Sequence, residues 1–315
     1  MEVFFADDKY NPASASQVCS QLIQRDQVDI LVGSGGTDQI AACARIAAQA
    51  NIPYLSAGVT ENPLNRLANY FAVSKSYAQQ APLLVQWITK NARPDNNKIA
   101  VIRTDTPNFD DGINAFNTAA QQAGYEVVPF LLAKDPTPQQ LAQVGAALQQ
   151  QSLKVAFPLM APLDWLEIVR QPGAVGVYWT GVGVTMGLNT VANIACKSPQ
   201  FRGAFFSPWP ALSSAGAVDP TFDTATRGQD DIVWSFWGLN KTIDQAFKKM
   251  EQSGGPFSRA AFAQAMIGGI DSGVYPKLNH TAQNHFGAET VNVLRSDCGN
   301  NAWKTQDDER FVSGF

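Results

Sequence analysis

Residues 28–60 set what this chain can become. They read VDILVGSGGTDQIAACARIAAQANIPYLSAGVT: an apolar β-branched run, a glycine-rich turn, an alanine-rich helix and a second short apolar run. The first run, 28–32, has the length and composition of a buried parallel strand. Gly33-Ser34-Gly35-Gly36 can turn sharply and bring bare backbone N–H groups close to a ligand. Thr37 or Asp38 is expected to cap a helix running to residue 50, and 53–56 is the next strand. Both strand ends, at 33–37 and 56–60, therefore open on the same edge of one sheet. Ligands of open α/β sheets bind at that edge. A helix N-terminus there offers unpaired N–H donors and a positive dipole end, suited to a carboxylate or phosphate.

A dinucleotide fingerprint is the competing reading, and it fails on two points. Gly33 and Gly35 fill the first two glycine places of G-x-G-x-x-G, but the third falls on Asp38, where a carboxylate would repel a pyrophosphate. No acidic residue ends a strand about twenty residues further on. No cofactor is expected.

At 315 residues the chain is long enough for two lobes with separate cores. Charged residues are 16% and the net charge is −4, with no basic stripe, which argues against a nucleic-acid partner. No apolar run approaches the length that spans a bilayer. Met1 leads directly into EVFFADDKY, without a basic n-region, an h-region or a cleavage site, so no signal peptide is expected. The four cysteines form no C-x-x-C pair and no metal spacing. Cys19 and Cys43 fall on apolar helical faces and read as buried free thiols. Cys196 and Cys298 lie near turn-rich segments, where a bridge and two free thiols both stay open.

Along the chain, 2–6 reads as a short strand and 12–25 as a helix opened by Asn11-Pro12. ENPLNRLANYF, from residue 61, reads as a loop, followed by a helix over 77–91 and a polar crossover at 92–97. A second α/β pattern begins at Lys98: strands at 99–103, 125–132, 153–159, 175–180 and 203–206 alternate with helices at 110–124, 137–151, 162–169 and 186–194. Such alternation means βαβ units and a parallel sheet. Residues 213–228 read as a long loop, 232–250 and 259–267 as helices, 291–295 as a late strand, and 307–315 as a mobile tail.

Catalytic chemistry has little support. His280 and His285 are the only histidines and share one loop, NHTAQNHFG, so neither a nucleophile triad nor a metal site is indicated; they read as loop hydrogen-bond partners. The doublets Asp7-Asp8, Asp110-Asp111, Asp230-Asp231 and Asp307-Asp308 fit turns and helix starts better than carboxylate pairs. Trp179, Trp209, Trp234 and Trp237 fall near inferred strand ends and helix starts. Two of the four are expected in the core, and aromatics at a closing cleft would suit a small apolar ligand.

The segments DDKYNPASASQVCSQLI and VDILVGSGGTDQIAACARIAAQANIPYLSAGVTENPL resemble the periplasmic solute-binding proteins of branched-chain amino acid ABC transporters. The resemblance continues through NKIAVIRTDTPNFDDGINAFNTAAQQAGYEVV and FRGAFFSPWPAL to HTAQNHFGAETVNVLRSD, so it covers nearly the whole chain in order. It implies two Rossmann-like lobes with parallel sheets joined by three crossovers, the type I periplasmic binding protein fold. The lobes would be 1–92 with 213–274 and 97–212 with 286–303, with hinges at 93–96 and 275–285 and a tail at 304–315. It also implies a ligand held by the first glycine-rich loop, at Gly36 and Thr37, and by the loop after the next strand, at Gly58 and Thr60. A gap near Gly35 would move the first hydroxyl position to Ser34. From the second lobe, Phe109, Met160 and Trp209 would face the cleft. Family members usually carry a signal peptide, a strand and a helix before the DD-x-x-N-P segment, so the first strand and helix are expected to be missing here.

The leading expectation is a non-enzymatic solute-binding component of an ABC importer. Its ligand would be a small hydrophobic or aromatic carboxylate or amino acid, its partner a membrane permease and its compartment the periplasm or another extracytoplasmic space. A ligand sensor presenting the same module to a receptor or regulator is the alternative. An oxidoreductase using the glycine turn comes third.

Overall fold

The computed structural model describes residues 2–33, 35–183, 185–226 and 230–305. The expected tail at 307–315, Asp307-Asp308 and Ser34 lie outside the described residues. Contacts group the chain into two compact units: Met1–Ser76 with Ser235–Val291, and Tyr77–Trp234 with Asn292–Phe315. The chain thus passes between units three times.

The first unit opens with α1 (Pro12–Gln24), whose Asn11 cap accepts from the N–H groups of Ala13 and Ser14 at 2.9 and 3.1 Å. Then come β1 (Leu31–Gly33), α2 (Thr37–Gln49), β2 (Tyr54–Ser56) and β3 (Tyr70–Ala72), giving a parallel sheet in the order β1-β2-β3. The small residues Ala41, Ala44 and Ala47 let α2 lie close on Leu31, Ile52, Tyr54 and Tyr70. β3 begins inside the segment expected to be a loop, over its last two residues. The helix-start expectation is also corrected: Gly36 is the cap, without a side-chain bond, and Thr37 is already helical.

Cys19 and Cys43 form a disulfide that ties α1 to α2 (Cα–Cα 5.8 Å), which overturns the expectation of free thiols. The reason is geometric: the two apolar faces that would bury the thiols are the faces that meet. The strand expected over 2–6 does not form, and Val3, Phe4 and Phe5 are exposed. Among the described residues 2–6 pairs with no strand, so its backbone gains no ladder bonds.

The second unit contains α3 (Tyr77–Asn91), β4 (Lys98–Thr104), α4 (Asp110–Gln122), β5 (Glu126–Leu132), α5 (Pro138–Gln150), β6 (Val155–Leu159), α6 (Pro162–Val169), β7 (Tyr178–Val182), α7 (Asn189–Ala195) and β8 (Arg202–Ser207). Two short helices, α8 (Ala215–Val218) and α9 (Pro220–Thr226), occupy the stretch expected to be a loop. Phe222 explains them: it is fully buried, its ring 4.7 Å from that of Trp234. The long helix α10 (Asp231–Ser253) begins in this unit and continues into the first, followed there by α11 (Arg259–Met266). β9 (Asn292–Asp297) and β10 (Ala302–Thr305) return to the second unit.

Its sheet runs β10-β9-β8-β7-β6-β4-β5, with every strand parallel except β9, which pairs antiparallel with both β8 and β10. Trp165, Trp179, Phe205 and Trp303 pack edge to face in its core. Cys196 and Cys298 are bridged (Cα–Cα 5.2 Å). Helix α3, expected in the first lobe, groups here instead because it packs on α4. A Cβ on Gly112 would stand 2.6 Å from that of Tyr77, so glycine is what lets the two helices approach. Residues 275–291, expected to begin as a hinge, group with the first unit. His280 rings them to it, its Nε2 2.9 Å from the Ala72 carbonyl and its Nδ1 3.2 Å from that of Met266. His285 Nδ1 lies 2.8 Å from the Tyr70 carbonyl, so both histidines are loop hydrogen-bond partners.

Candidate functional site

In the first unit three strand-end loops come together. Thr37 Oγ1 donates to the Val59 carbonyl (3.3 Å), and the Gly58 N–H donates to Ser56 Oγ (3.2 Å). From the loop after β3, Ser74 Oγ donates to the Gly58 carbonyl (3.0 Å). A Cβ on Gly58 would strike Ile40 and stand 3.4 Å from the Gly35 carbonyl oxygen, so glycine is what lets the first two loops touch. Gly36, Thr37, Gly58 and Thr60 are therefore neighbours in space, as their loops require.

Their roles within the fold differ. Thr60 is fully buried and its hydroxyl pairs with that of Tyr70 at 2.8 Å. Burial raises the Tyr70 phenol well above its ordinary pKa, and the bonds from Thr60 and Ser56 partly counter that. Thr60 thus locks the 57–60 loop to β3. Gly36 leaves the start of α2 without a side-chain cap, which keeps its first turn suited to an outside acceptor. Asp8 reaches the same corner, its Oδ2 3.6 Å from where a Gly35 Cβ would stand.

In the second unit β4 is flanked by β5 on one side and β6 on the other, which makes the β4/β6 boundary the topological switch point. Phe109 follows β4, Met160 follows β6 directly, and Trp209 follows β8, all at the C-terminal ends of parallel strands. Phe109 is half-buried and meets Tyr77 edge-on at 5.6 Å. Met160 and Trp209 are buried, Met160 among the core residues around Trp165. Thr104 and Thr106, both buried, add hydroxyls 3.4 Å apart beside the switch point.

Of the other aromatics, Trp179 and Trp234 are core; the Trp234 Nε1–H donates to the Pro210 carbonyl (3.2 Å). The acidic doublets that the structure describes serve local structure. Asp7 and Asp8 accept from the N–H groups of Lys9 and Tyr10, and Asp230 accepts from those of Ile232 and Val233. Asp110 pairs with Arg103. Among the described residues no three His, Cys, Asp or Glu side chains gather as a metal site would need. Sequence reasoning missed Tyr70, the Ser74-Lys75-Ser76 loop, Tyr77 and the Thr104/Thr106 pair. The signal was present in NYFAVSKS, a β-rich run ending in small hydroxyls, but the turn formers before it masked the strand.

Two α/β units, each with parallel strands and with the chain passing three times between them, define a class of two-lobed binding proteins. Residues 1–302 match the periplasmic binding protein family, and the chain belongs to it. The family is one of binding proteins rather than enzymes. No curated protein matches the chain in sequence. Solved structures do. A leucine-binding protein of Thermotoga maritima is similar at 13% identity and TM-score 0.80, over 97% of this chain and 86% of that one. A solute-binding protein of an ABC transporter from R. palustris, in complex with benzoate, is 14% identical with TM-score 0.75, over 98% and 87%. A branched-chain amino acid ABC transporter protein from Thermus thermophilus with bound valine gives 13% and 0.76, over 98% and 84%. At these identities the likeness establishes the type I periplasmic binding protein fold.

Proposed function

We propose that this chain is the solute-binding component of an ABC importer. It takes a small hydrophobic or aromatic carboxylate or amino acid and closes on it for a membrane permease to recognise. The observation that carries this reading is the hydroxyl- and amide-rich meeting of strand-end loops in the first unit, within a chain of this family. Gly36, Thr37 and Gly58 would offer backbone and hydroxyl partners to the carboxylate, with Thr60 holding their loop. Phe109, Met160 and Trp209 would form the apolar half, and the three chain crossings would carry the hinge. The similar structures with benzoate and valine fit that chemistry.

Two disulfides suit an oxidising, extracytoplasmic compartment. Among the described residues no helix is long and apolar enough to cross a membrane. Asp8, beside Gly35, favours a ligand that also carries an ammonium group.

The test is a thermal-shift and tryptophan-fluorescence titration with benzoate, 4-hydroxybenzoate, leucine, valine, glucose and spermidine. A carboxylate at a hundredfold excess over its Kd adds about 2.7 kcal/mol of apparent stability. Saturable binding of glucose or spermidine, without a response to any of the four carboxylates, would overturn the reading.

A further inference from the structure

Lys75 is buried, 9% exposed, although a lysine ordinarily keeps its ammonium group in water. It lies three residues past the end of β3, in the third strand-end loop of the first unit. That loop is laced to the second candidate ligand loop before the lysine and to Asn62, two residues past that loop, after it. The Val73 N–H donates to the Ser56 carbonyl (2.9 Å), Ser74 Oγ to the Gly58 carbonyl (3.0 Å), and Ser76 Oγ to Asn62 Oδ1 (3.4 Å).

We propose that Lys75 supplies the positive charge that recognises the ligand's carboxylate. The segments 33–37, 56–60 and 73–76 read GSGGT, SAGVT and VSKS, so Lys75 is their one charged side chain. Hydroxyls and backbone N–H groups orient a carboxylate but leave its charge uncompensated on leaving water. A lysine already stripped of much of its own water loses less in meeting that charge than an exposed one would. Burial holds the Lys75 pKa below the ordinary lysine value, and Glu289 pulls it back up. Glu289 is exposed, so its carboxylate is screened where a bound ligand's is not. The consequence is selectivity for acids over their neutral amides. This rests on the solute-binding reading and goes further, naming the group that reads the ligand's charge.

Calorimetric titration of wild type, Lys75→Arg, Lys75→Met and Glu289→Gln with benzoate, leucine and benzamide tests it, with the melting temperature of each variant checking its fold. A hydrogen bond to a charged group is worth roughly 1.5–3 kcal/mol, so Lys75→Met should bind benzoate or leucine about tenfold to a hundredfold more weakly. Lys75→Arg should restore most of that loss. The preference for benzoate over benzamide should collapse in Lys75→Met, which a merely structural role for the lysine would leave in place. Glu289→Gln removes the competing carboxylate and should tighten benzoate binding. It decides the matter if Lys75→Met fails to fold, because unchanged affinity there counts against the lysine. Equal benzoate affinity in wild type and folded Lys75→Met would overturn the assignment while leaving the importer reading standing. Wild type binding neither benzoate nor leucine would overturn both.

Discussion

The two units bury different things. The first rests on three short strands and keeps polar groups inside: Ser56, Thr60, Ser74, Ser76, His280 and His285 are all buried, with Tyr54 and Tyr70 stacked beside them. The second, among the described residues, has seven strands around an aromatic centre of Trp165, Trp179, Phe205 and Trp303. Apolar packing is non-directional and yields to small changes, whereas a buried polar network fails when one partner is lost. The first unit should therefore respond more sharply to single atoms and to pH. The second should respond to what closes its long chain excursions.

The largest effect expected is loss of the Cys196–Cys298 bridge, whose cysteines are 102 residues apart. Chain-entropy reasoning gives about 4.7 kcal/mol for a loop of that size, against about 3–4 kcal/mol for Cys19–Cys43, separated by 24. Urea denaturation of Cys196→Ser/Cys298→Ser and of Cys19→Ser/Cys43→Ser would compare them. A larger loss from the shorter loop would mean that the first unit depends on its crosslink more than the comparison allows.

Next comes pH. His280 is fully buried, and desolvation brings its pKa from 6.5 down to about 4. The folded state keeps the ring neutral while the unfolded chain takes up a proton below 6.5. The stabilisation is therefore complete above that pH and is lost progressively towards pH 4, on the order of 3 kcal/mol. Asp231, at the start of α10, has the opposite sign. Burial raises its pKa to about 6, so its unfavourable contribution grows as pH rises from 4 to 6. His280→Gln should flatten the acid limb of a stability-versus-pH curve measured by denaturant titration. An unchanged limb would show that the first unit is not the acid-sensitive one.

The smaller effects compare two buried threonines. Thr60→Val removes one of the two hydroxyl partners of Tyr70, leaving Ser56, and should cost about 1 kcal/mol, read as a lowered midpoint. Thr180→Val, in the second unit, removes a bond to the Ala156 carbonyl (3.2 Å) that leaves no second side chain stranded, and should cost about 0.5 kcal/mol. Equal losses would erase the distinction between the two interiors at the level of single hydroxyls.

How legible each part was follows from the same contrast. Helices α3 and α6 were placed to the residue, because a 3.6-residue apolar period between turn formers leaves little choice. The parallel strands of the second sheet are legible to within about three residues, most being near-continuous apolar runs, whereas β10 falls where the sequence reading sets no strand. β3 was hidden because three residues give too short a pattern to outweigh the Asn and Pro residues before it. The Cys19–Cys43 bridge was hidden because pairing depends on how two helices meet, which neither helix's own sequence states. Four candidate ligand residues in the first unit converge because their loops follow adjacent parallel strands, a consequence of topology. The partner of Thr60 was out of reach, since it sits on the strand that was missed.

The Cys196–Cys298 bond also changes what kind of object the chain is. Counted by covalent bonds, it is no longer a line: residues 196–298 form a large ring, besides the small one closed by Cys19–Cys43, and the whole of Ser235–Val291 lies on the large ring. The first unit is thus assembled from one piece hung on a tail and another carried by a closed loop. A single cut in the exposed stretch around Gly254 and Gly255 would open the ring without releasing a fragment. The nicked molecule would run as one species until a reductant was added, and as two thereafter.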